Sequence, residues 1–317
     1  MKVGIIGYGN LGKAVESLLQ KNKTNKLIAI FSKRNNLVSP FNTKIDNLKN
    51  LKNYINKIDT LIICSGSFDE LEVIGPEVLK NFNTIDSFDT HSKLLRYKNK
   101  LDLIAKLNKK VAITACGWDP GLMSVIRTIF NSFSDKKSES FWGMGVSQGH
   151  SNAIRKIDGV INAIQYTIPV EKEIENIKND VNYIPESYNK HKRICYVAIQ
   201  ENIDKLEIEE KIKNMKNYFL GYETIVNFVN NNEIIEMQKN LSHKGLIVDN
   251  FNLVDYENYL EFKLNIDSNP IFTANILICY LIALNKLIKN KKFGAYTVLD
   301  IPVSFLIKDD NKVYNDL

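Results

Sequence analysis

Three glycines near the start of the chain follow directly on an apolar run, in the order Gly-Tyr-Gly-Asn-Leu-Gly from Gly7 to Gly12. This spacing is typical of a dinucleotide-binding turn, in which the first glycine permits a tight bend. The second glycine lets the backbone approach a pyrophosphate, and the third lets the next helix pack on the strand. The pyrophosphate lies at the helix N-terminus, where free N–H groups favour an anion. The residues predicted to bind the dinucleotide here are Gly7, Tyr8, Gly9, Asn10, Leu11 and Gly12.

The segment Ser32-Lys33-Arg34 stands at the end of the second predicted strand. In an NAD-selective site that position carries Asp or Glu, which accepts hydrogen bonds from the ribose 2′-hydroxyl. Two cations and a hydroxyl suit a 2′-phosphate instead, and Arg34 can hold it with two parallel N–H donors. Taken alone, the segment could be a solvated basic loop. Coupled to the glycines, Ser32, Lys33 and Arg34 predict NADP as the cofactor.

Alternating strands and helices must position these segments. Val3 to Ile6 reads as a buried strand, the apolar residues from Leu11 to Leu19 recur at helical spacing, and Leu27 to Phe31 reads as the next strand. Further strands are predicted over residues 60–64, 83–86 and 110–114, and helices over residues 70–81 and 92–108. This order predicts an α/β fold with a Rossmann-type, doubly wound parallel sheet.

Ligands of doubly wound sheets bind beyond the carboxyl ends of the strands. Three predicted loops lie there: Ser65-Gly66-Ser67, residues 87–91 and residues 115–121. We expect Ser65, Gly66 and Ser67 to contact the cofactor, and Asp89 and Asp119 to lie on the same rim. From the residues alone, a helix cap for Asp89 and a turn residue before Pro120 for Asp119 are the simpler interpretations.

The pattern changes from about residue 120. A helix over residues 121–134 leads into strand-like segments at 140–146, 163–169, 193–199, 222–229 and 257–266. Strands that follow a βαβ half indicate a second α+β domain built on a mixed sheet, where a substrate site and a dimer interface would lie. We predict domains over residues 1–119 and 120–271, with residues 272–317 packing back on the first. Polar residues 171–192 are predicted to form a mobile excursion, and residues 296–305 a final strand.

Composition and spacing argue against several classes of function. The net charge of +6 is spread along the chain without a basic arm, so nucleic acid is a poor candidate partner. The four histidines, at positions 91, 150, 191 and 243, form no HxxxH pair or His/Cys cluster, and no metal site is predicted. No Gly-x-Ser-x-Gly elbow supports a serine hydrolase.

The chain shows no targeting segment, and its cysteines predict a reduced environment. Cys64, Cys116, Cys195 and Cys279 lie in apolar stretches without CxxC spacing, which indicates buried, reduced thiols. The most apolar stretch, residues 276–288, is interrupted by Asn and Lys and is too short to cross a bilayer, so we interpret it as a core helix. We therefore predict a cytoplasmic protein that does not contact a membrane.

Several motifs, in order along almost the whole chain, resemble meso-diaminopimelate dehydrogenase. They are the glycine turn with Ser32-Lys33-Arg34, Asp89-Thr90-His91, Gly117-Trp118-Asp119-Pro120-Gly121, Phe141-Trp142-Gly143, Ser147-Gln148-Gly149-His150-Ser151, Gln165-Tyr166-Thr167, His191-Lys192-Arg193, Gly221-Tyr222-Glu223 and Asn269-Pro270-Ile271-Phe272-Thr273-Ala274. The resemblance implies a homodimeric, NADP-dependent oxidoreductase that deaminates the D-centre of meso-2,6-diaminopimelate to L-2-amino-6-oxopimelate and ammonia. It also implies the reverse reaction in lysine and cell-wall precursor synthesis.

The resemblance implies roles for individual residues at the reacting D-centre. Asp89 and Asp119 bind its ammonium group, and one of them accepts a proton or positions water, although the sequence does not say which. The residues implied to bind the D-centre carboxylate and to enclose it are Trp118, Trp142, Gln148 and Gly149. Taken alone, each tryptophan could be a packing residue.

At the distal L-centre the resemblance implies that Arg193 clamps the second carboxylate. Its other implied contacts are Thr167, His243 and Asn269. Alone, Arg193 could belong to a solvated charge run, and Asn269 could end a strand before a proline. The segment around His243 departs from the family pattern, and residues 230–255 match it least. Two alternative functions stay open: dehydrogenation of another D-amino acid, and dinucleotide sensing without turnover.

Overall fold

The computed structural model describes residues 1–66, 70–239 and 242–308. The chain forms two compact units. The first contains residues 1–125 together with the segment that begins at Pro270, and the second contains Ile126–Asn269.

The strands are β1 (Lys2–Ile6), β2 (Lys26–Ser32), β3 (Ile45–Asn47), β4 (Thr60–Ile63), β5 (Asn83–Asp86), β6 (Val111–Ile113), β7 (Glu139–Trp142), β8 (Gly145–Val146), β9 (Val160–Pro169), β10 (His191–Ile199), β11 (Thr224–Phe228), β12 (His243–Leu253), β13 (Tyr256–Ile266) and β14 (Gly294–Tyr296). The α-helices are α1 (Asn10–Gln20), α2 (Leu71–Leu79), α3 (Leu94–Leu107), α4 (Leu122–Phe130), α5 (Gln148–Arg155), α6 (Glu171–Asn179), α7 (Lys205–Lys213), α8 (Asn231–Met237) and α9 (Asn269–Lys289). Short 3-10 helices span Leu48–Tyr54, His91–Lys93, Val298–Asp300 and Val303–Leu306.

The first unit is built on a parallel sheet in the order β14-β6-β5-β4-β1-β2-β3. Its central strands are apolar on both faces: Ile5, Ile30, Ile62 and Ile85 have no exposed surface. Burial on both faces is what a parallel sheet with helical crossovers requires. The predicted doubly wound sheet is confirmed, and β14 joins it beside β6.

Helix α9 extends well beyond the apolar stretch that the sequence suggested. It runs for 21 residues, from Asn269 to Lys289, and by length and composition alone it could cross a membrane. Half of its most apolar window is buried inside the protein, and Leu277, Leu281 and Leu284 are fully buried. Core helices pass the same test of length and hydropathy, and these buried leucines belong to such a core.

The second unit contains two sheets, in the orders β11-β10-β9-β8 and β13-β12-β7. The pair β10–β11 is parallel and the others are antiparallel, so the predicted mixed sheet is confirmed. A core of buried Ile154, Ala163, Val197, Ile208 and Phe219 joins the larger sheet to its helices.

Three predicted elements differ from the structure. The single strand over 140–146 is two strands in different sheets, because the chain bends at Gly143, whose φ is +113°. Residues 171–192 were predicted to be a mobile excursion, but they begin with α6, which buries Ile174 and Ile177 against Phe141. The strand over 296–305 stops at Tyr296, and two 3-10 helices follow. In addition, no strand was predicted between residues 229 and 257, but β12 lies there, at His243–Leu253.

Candidate active site

The glycine turn has the geometry that a pyrophosphate site requires. Gly7 has a φ of +90°, and a Cβ there would lie 2.9 Å from the backbone of Cys64. A Cβ on Gly12 would lie 2.1 Å from the Gly7 carbonyl oxygen, so α1 packs directly on the turn. At Gly9, by contrast, no described residue other than its chain neighbours comes within 4 Å of that position. Gly9 is also the N-cap of α1, so Asn10 and Leu11 begin the helix without a side-chain cap.

A cavity of about 270 Å³ lies beside this turn and extends to the end of β2. It is lined by Gly7, Tyr8, Gly9, Ser32, Lys33, Arg34, Ser65 and Gly66, among others. The Arg34 side chain donates from Nη2 to the Tyr8 carbonyl at 2.7 Å. The backbone N–H of Arg34 donates to the Ser32 hydroxyl at 3.1 Å. Lys33 pairs with Glu70 at 2.9 Å. Ser67 lies outside the described residues. The open glycine, the uncapped helix and the adjacent cations fit a phosphorylated nucleotide.

The two predicted acidic residues follow neighbouring strands of the parallel sheet. Asp89 follows β5 and is exposed, whereas Asp119 follows β6 and is half-buried. Trp118, just before Asp119, is buried. Asp89 does not occupy the N-cap of the next helices, because Thr90 and Lys93 do. Asp119 lies in a tight turn whose Gly117 N–H donates to the Pro120 carbonyl at 2.9 Å.

A third carboxylate, which the sequence did not single out, holds this rim together. Asp86 is fully buried at the end of β5 and accepts hydrogen bonds from the Thr114 hydroxyl at 2.6 Å and the Phe88 N–H at 3.1 Å. The Tyr97 hydroxyl donates to its other oxygen at 3.2 Å. Burial raises the pKa of Asp86 to about 6, although these donors lower it. Asp86 thus joins the Asp89 loop to the end of β6. The feature of the sequence that could have pointed to Asp86 is an acidic residue within a strand predicted to be buried.

In the second unit, Trp142 ends β7 and is fixed by a histidine that was also missed. The Trp142 N–H donates to His191 Nε2 at 2.8 Å, and the indole stacks on that imidazole with ring centres 5.4 Å apart. Burial, and then the charges of Arg193 and Lys190, lower the pKa of His191 to about 3. The imidazole is therefore neutral at neutral pH and can accept the bond. His191 belongs to the motif His191-Lys192-Arg193, but its role could not be read from the sequence because its partner, Trp142, lies 49 residues away in the chain.

Gln148 and Gly149 are exposed in the first turn of α5. Among the described residues, no side chain lies within 4 Å of the position that a Cβ on Gly149 would occupy, so the space beside this glycine is open. The Ser147 hydroxyl caps this helix and lies 2.6 Å from His150 Nδ1. Burial lowers the pKa of His150 to about 4, with a further contribution from Arg193. His150 therefore orients the loop as a neutral ring.

Arg193 carries a buried positive charge without a carboxylate partner among the described residues. The residue is only 8% exposed. Nη1 donates to the Thr167 hydroxyl at 2.7 Å, and the guanidinium lies 4.2 Å from the ring centre of Tyr222. Its Nε has no partner in the described part of the chain. Burial lowers the pKa of Arg193, which means that its surroundings disfavour the charge. Such a group is suited to an anion supplied from outside.

Of the other predicted contacts at the distal centre, Thr167 and His243 meet at Gly145, and Asn269 lies at the start of α9. Thr167 is opposite both Arg193 and Gly145 in the four-stranded sheet. The imidazole of His243 packs on Gly145, where a Cβ would come within 2.4 Å of the ring. Asn269 begins α9, three residues after the Ile266 that pairs with His243. The structure therefore brings Arg193, Thr167 and His243 around Gly145.

Neither the cysteines nor the histidines form a metal-like cluster in residues 1–66, 70–239 and 242–308. All four cysteines are free thiols. The prediction that all are buried was wrong, because Cys279 is exposed and Cys64 is half-buried.

Comparison with known proteins gives consistent matches. The family model for the diaminopimelic acid dehydrogenase C-terminal domain matches residues 117–268. The meso-diaminopimelate D-dehydrogenase of Acetivibrio thermocellus is 43% identical, over 96% of this chain and 94% of the relative. The structure of the Corynebacterium glutamicum DAP dehydrogenase in complex with DAP is 31% identical, with a TM-score of 0.94 over 100% of this chain and 99% of that one. An engineered D-amino acid dehydrogenase bound to NADP+ is 30% identical, with a TM-score of 0.89 over the same shares.

Proposed function

The chain belongs to the meso-diaminopimelate D-dehydrogenase family, and we propose specific residues for its reaction and NADP as its cofactor. The enzyme catalyses the reversible oxidative deamination of meso-2,6-diaminopimelate at its D-centre, in lysine biosynthesis. The products are L-2-amino-6-oxopimelate and ammonia. The residues of the first unit that line the cavity beside the glycine turn would hold a nicotinamide dinucleotide, which would supply hydride acceptance for this reaction when bound.

Asp89 and Asp119 are the groups that we assign to the amino group of the D-centre. The ammonium must lose a proton before hydride can leave its carbon, and water must then attack the resulting imine. A carboxylate can accept that proton or hold the water. Both residues lie on the carboxyl rim of adjacent strands, and Asp86 fixes the loop of one to the end of the other. The D-centre carboxylate is assigned to the donors of Trp142, Gln148 and Gly149.

The observation that carries the substrate assignment is the buried charge of Arg193. A substrate with one amino acid centre has no second carboxylate to neutralise it, whereas diaminopimelate does. Arg193, Thr167 and His243, with Asn269, offer donors for the carboxylate and acceptors for the ammonium of the L-centre. A D-amino acid without that carboxylate would leave the guanidinium buried and uncompensated, which is costly.

The experiment is an assay of NADPH formation with meso-, LL- and DD-diaminopimelate and with D-lysine. We expect turnover with the meso isomer, none with the LL isomer, and poor turnover with D-lysine, which lacks the distal carboxylate. Equal rates with D-lysine would remove Arg193 from substrate selection. Binding of diaminopimelate without a change in absorbance at 340 nm would mean that the protein does not turn it over.

The choice of NADP over NAD rests on Arg34 and on the absence of an acidic residue at the end of β2, where Ser32 stands. Replacing Arg34 with Ala should raise the KM for NADP at least about tenfold, the value of one charge-assisted clamp, and should change the KM for NAD little. A matched control is Lys26→Ala, at the exposed start of the same strand. Equal changes for both dinucleotides would place the 2′-phosphate elsewhere.

We also propose that two copies of the chain associate through the β12–β13 hairpin. Strand β13 is the edge of its sheet, and the hairpin exposes Leu253, Val254, Tyr256 and Tyr259. An edge strand presents backbone N–H and C=O groups that can pair with another chain, and the exposed apolar side chains at the tip of this hairpin add surface for a partner to bury. Sedimentation should give a dimer, and Val254→Lys with Tyr256→Lys should shift it to the monomer. A wild-type monomer at micromolar concentration would refute this.

The cytoplasmic location stays a prediction.

A further inference from the structure

Glu16 on α1 is a buried acidic residue that has no assigned role in the reaction or in cofactor binding. It has no exposed surface, which is rare for a glutamate. Both of its oxygens accept hydrogen bonds: Oε1 from the Ser39 hydroxyl at 2.6 Å, and Oε2 from the Tyr8 hydroxyl. Tyr8 and Ser39 are themselves buried. A buried polar group is tolerated where such hydrogen bonds compensate its loss of water.

The two donors belong to the two loops that line the end of β2. Tyr8 is the second residue of the glycine turn, and its carbonyl accepts the hydrogen bond from Arg34 at 2.7 Å. Ser39 organises the loop after β2, because its hydroxyl oxygen accepts the N–H groups of Phe41 at 3.0 Å and Thr43 at 3.1 Å. Glu16 therefore connects the glycine turn, which contacts Arg34, with the loop after β2, which contains Ser39.

The direction of these hydrogen bonds requires an acceptor at position 16. The Ser39 oxygen already accepts two backbone N–H groups, so its lone pairs are used and its single proton must be donated. Glu16 receives it. A glutamine at this position could still accept from Ser39 with its amide oxygen while its NH₂ donates to the Tyr8 hydroxyl. A leucine could do neither.

We propose that Glu16 is a positioning residue for the 2′-phosphate end of the cofactor site. Through Tyr8 and Ser39 it fixes the glycine turn and the loop after β2, so that Arg34 is held in place before the cofactor arrives. A side chain that is already held loses less freedom on binding, and the ligand is bound more tightly for that reason. This inference rests on the proposed use of NADP.

The test measures the Kd of NADP and of NAD separately by titration calorimetry. Ser39→Ala releases the loop alone and should raise the Kd of NADP about tenfold while leaving that of NAD within about twofold. Tyr8→Phe releases the glycine turn and should raise both. Glu16→Leu should lose the preference for NADP, and Glu16→Gln should retain most of it. The matched control is Gln20→Ala, which removes the exposed bond from the same helix to the Thr43 hydroxyl at 3.1 Å and should change neither Kd.

The outcomes separate three cases. If Ser39→Ala and Glu16→Leu lower the melting temperature but leave the ratio of the two Kd values unchanged, Glu16 is a structural residue and the proposal is wrong. If Ser39→Ala raises both Kd values equally, Glu16 acts on the shared pyrophosphate site and the proposal is again wrong. If the wild type binds NAD as tightly as NADP, it is the proposed cofactor that fails. Should Glu16→Leu not fold, Ser39→Ala still decides.

Discussion

Arg193→Met should weaken substrate binding without weakening the fold. The guanidinium is buried and has no carboxylate partner in the described residues, so the distal carboxylate of the substrate is its expected counter-charge. Loss of charge-assisted hydrogen bonds to a carboxylate costs about 1.5–3 kcal/mol, which corresponds to a rise in the KM for meso-diaminopimelate of about 10- to 150-fold. The KM for D-lysine, which lacks that carboxylate, should not rise, because the variant no longer leaves a guanidinium uncompensated beside that substrate.

The effect of Arg193→Met on stability follows from the same geometry. The variant loses one bond to the Thr167 hydroxyl and the contact with the Tyr222 ring, which together contribute about 2–4 kcal/mol. It also removes a buried charge whose desolvation costs several kcal/mol. The terms nearly cancel, so we expect the free energy of unfolding to stay the same or to rise by up to about 2 kcal/mol.

The assay combines Michaelis kinetics with urea denaturation, and Arg155→Met is the matched control. Arg155 is a partly buried arginine of the same unit whose Nη1 donates to the Ala163 carbonyl at 2.5 Å. Its loss should lower stability by about 1 kcal/mol and leave the KM for the substrate unchanged. The reasoning about Arg193 would be refuted by an unchanged KM. It would equally be refuted by a stability loss of 3 kcal/mol or more, since the charge would then be well compensated within the protein.

Three further predictions concern the reacting centre. Asp119→Asn should depress kcat while the Kd of NADP stays the same; an unchanged kcat would exclude Asp119 from the chemistry. His191→Phe keeps a ring beside Trp142 but removes the acceptor of its N–H, so kcat/KM should fall about 5- to 30-fold, with recovery in His191→Gln, which can accept; equal loss in both variants would mean that stacking alone matters. Burial raises the pKa of Asp86 from its ordinary 3.8 to about 6, so between these values the folded protein holds a proton that the unfolded chain has lost. Its contribution to stability is therefore present below about pH 4 and is lost as pH rises to about 6, by about 3 kcal/mol in all. Denaturation of wild type and Asp86→Asn from pH 4 to 7 should show that difference, and parallel curves would contradict it.

The elements of the first unit could be predicted from the sequence because their signals are local. Apolar runs identified β1, β2, β4 and β5 to within a residue or two, and the glycine spacing identified the turn between β1 and α1. The strand 140–146 was misplaced because periodicity does not reveal a bend at Gly143 that takes the chain from one sheet to another. Helix α6 was missed because only two apolar residues, Ile174 and Ile177, anchor a polar segment.

The sequence by itself determined the fold class and the residue types that the chemistry needs, since strand and helix periods and glycine spacing involve neighbours along the chain. Only the tertiary structure identified Asp86, His191 and Glu16, because the partners of each come from other elements. It also decided that Arg193 is a buried charge rather than part of a solvated run. Burial and hydrogen-bond partners depend on which strands become neighbours. The arrangement of the strands depends in turn on contacts between residues that are far apart in the chain.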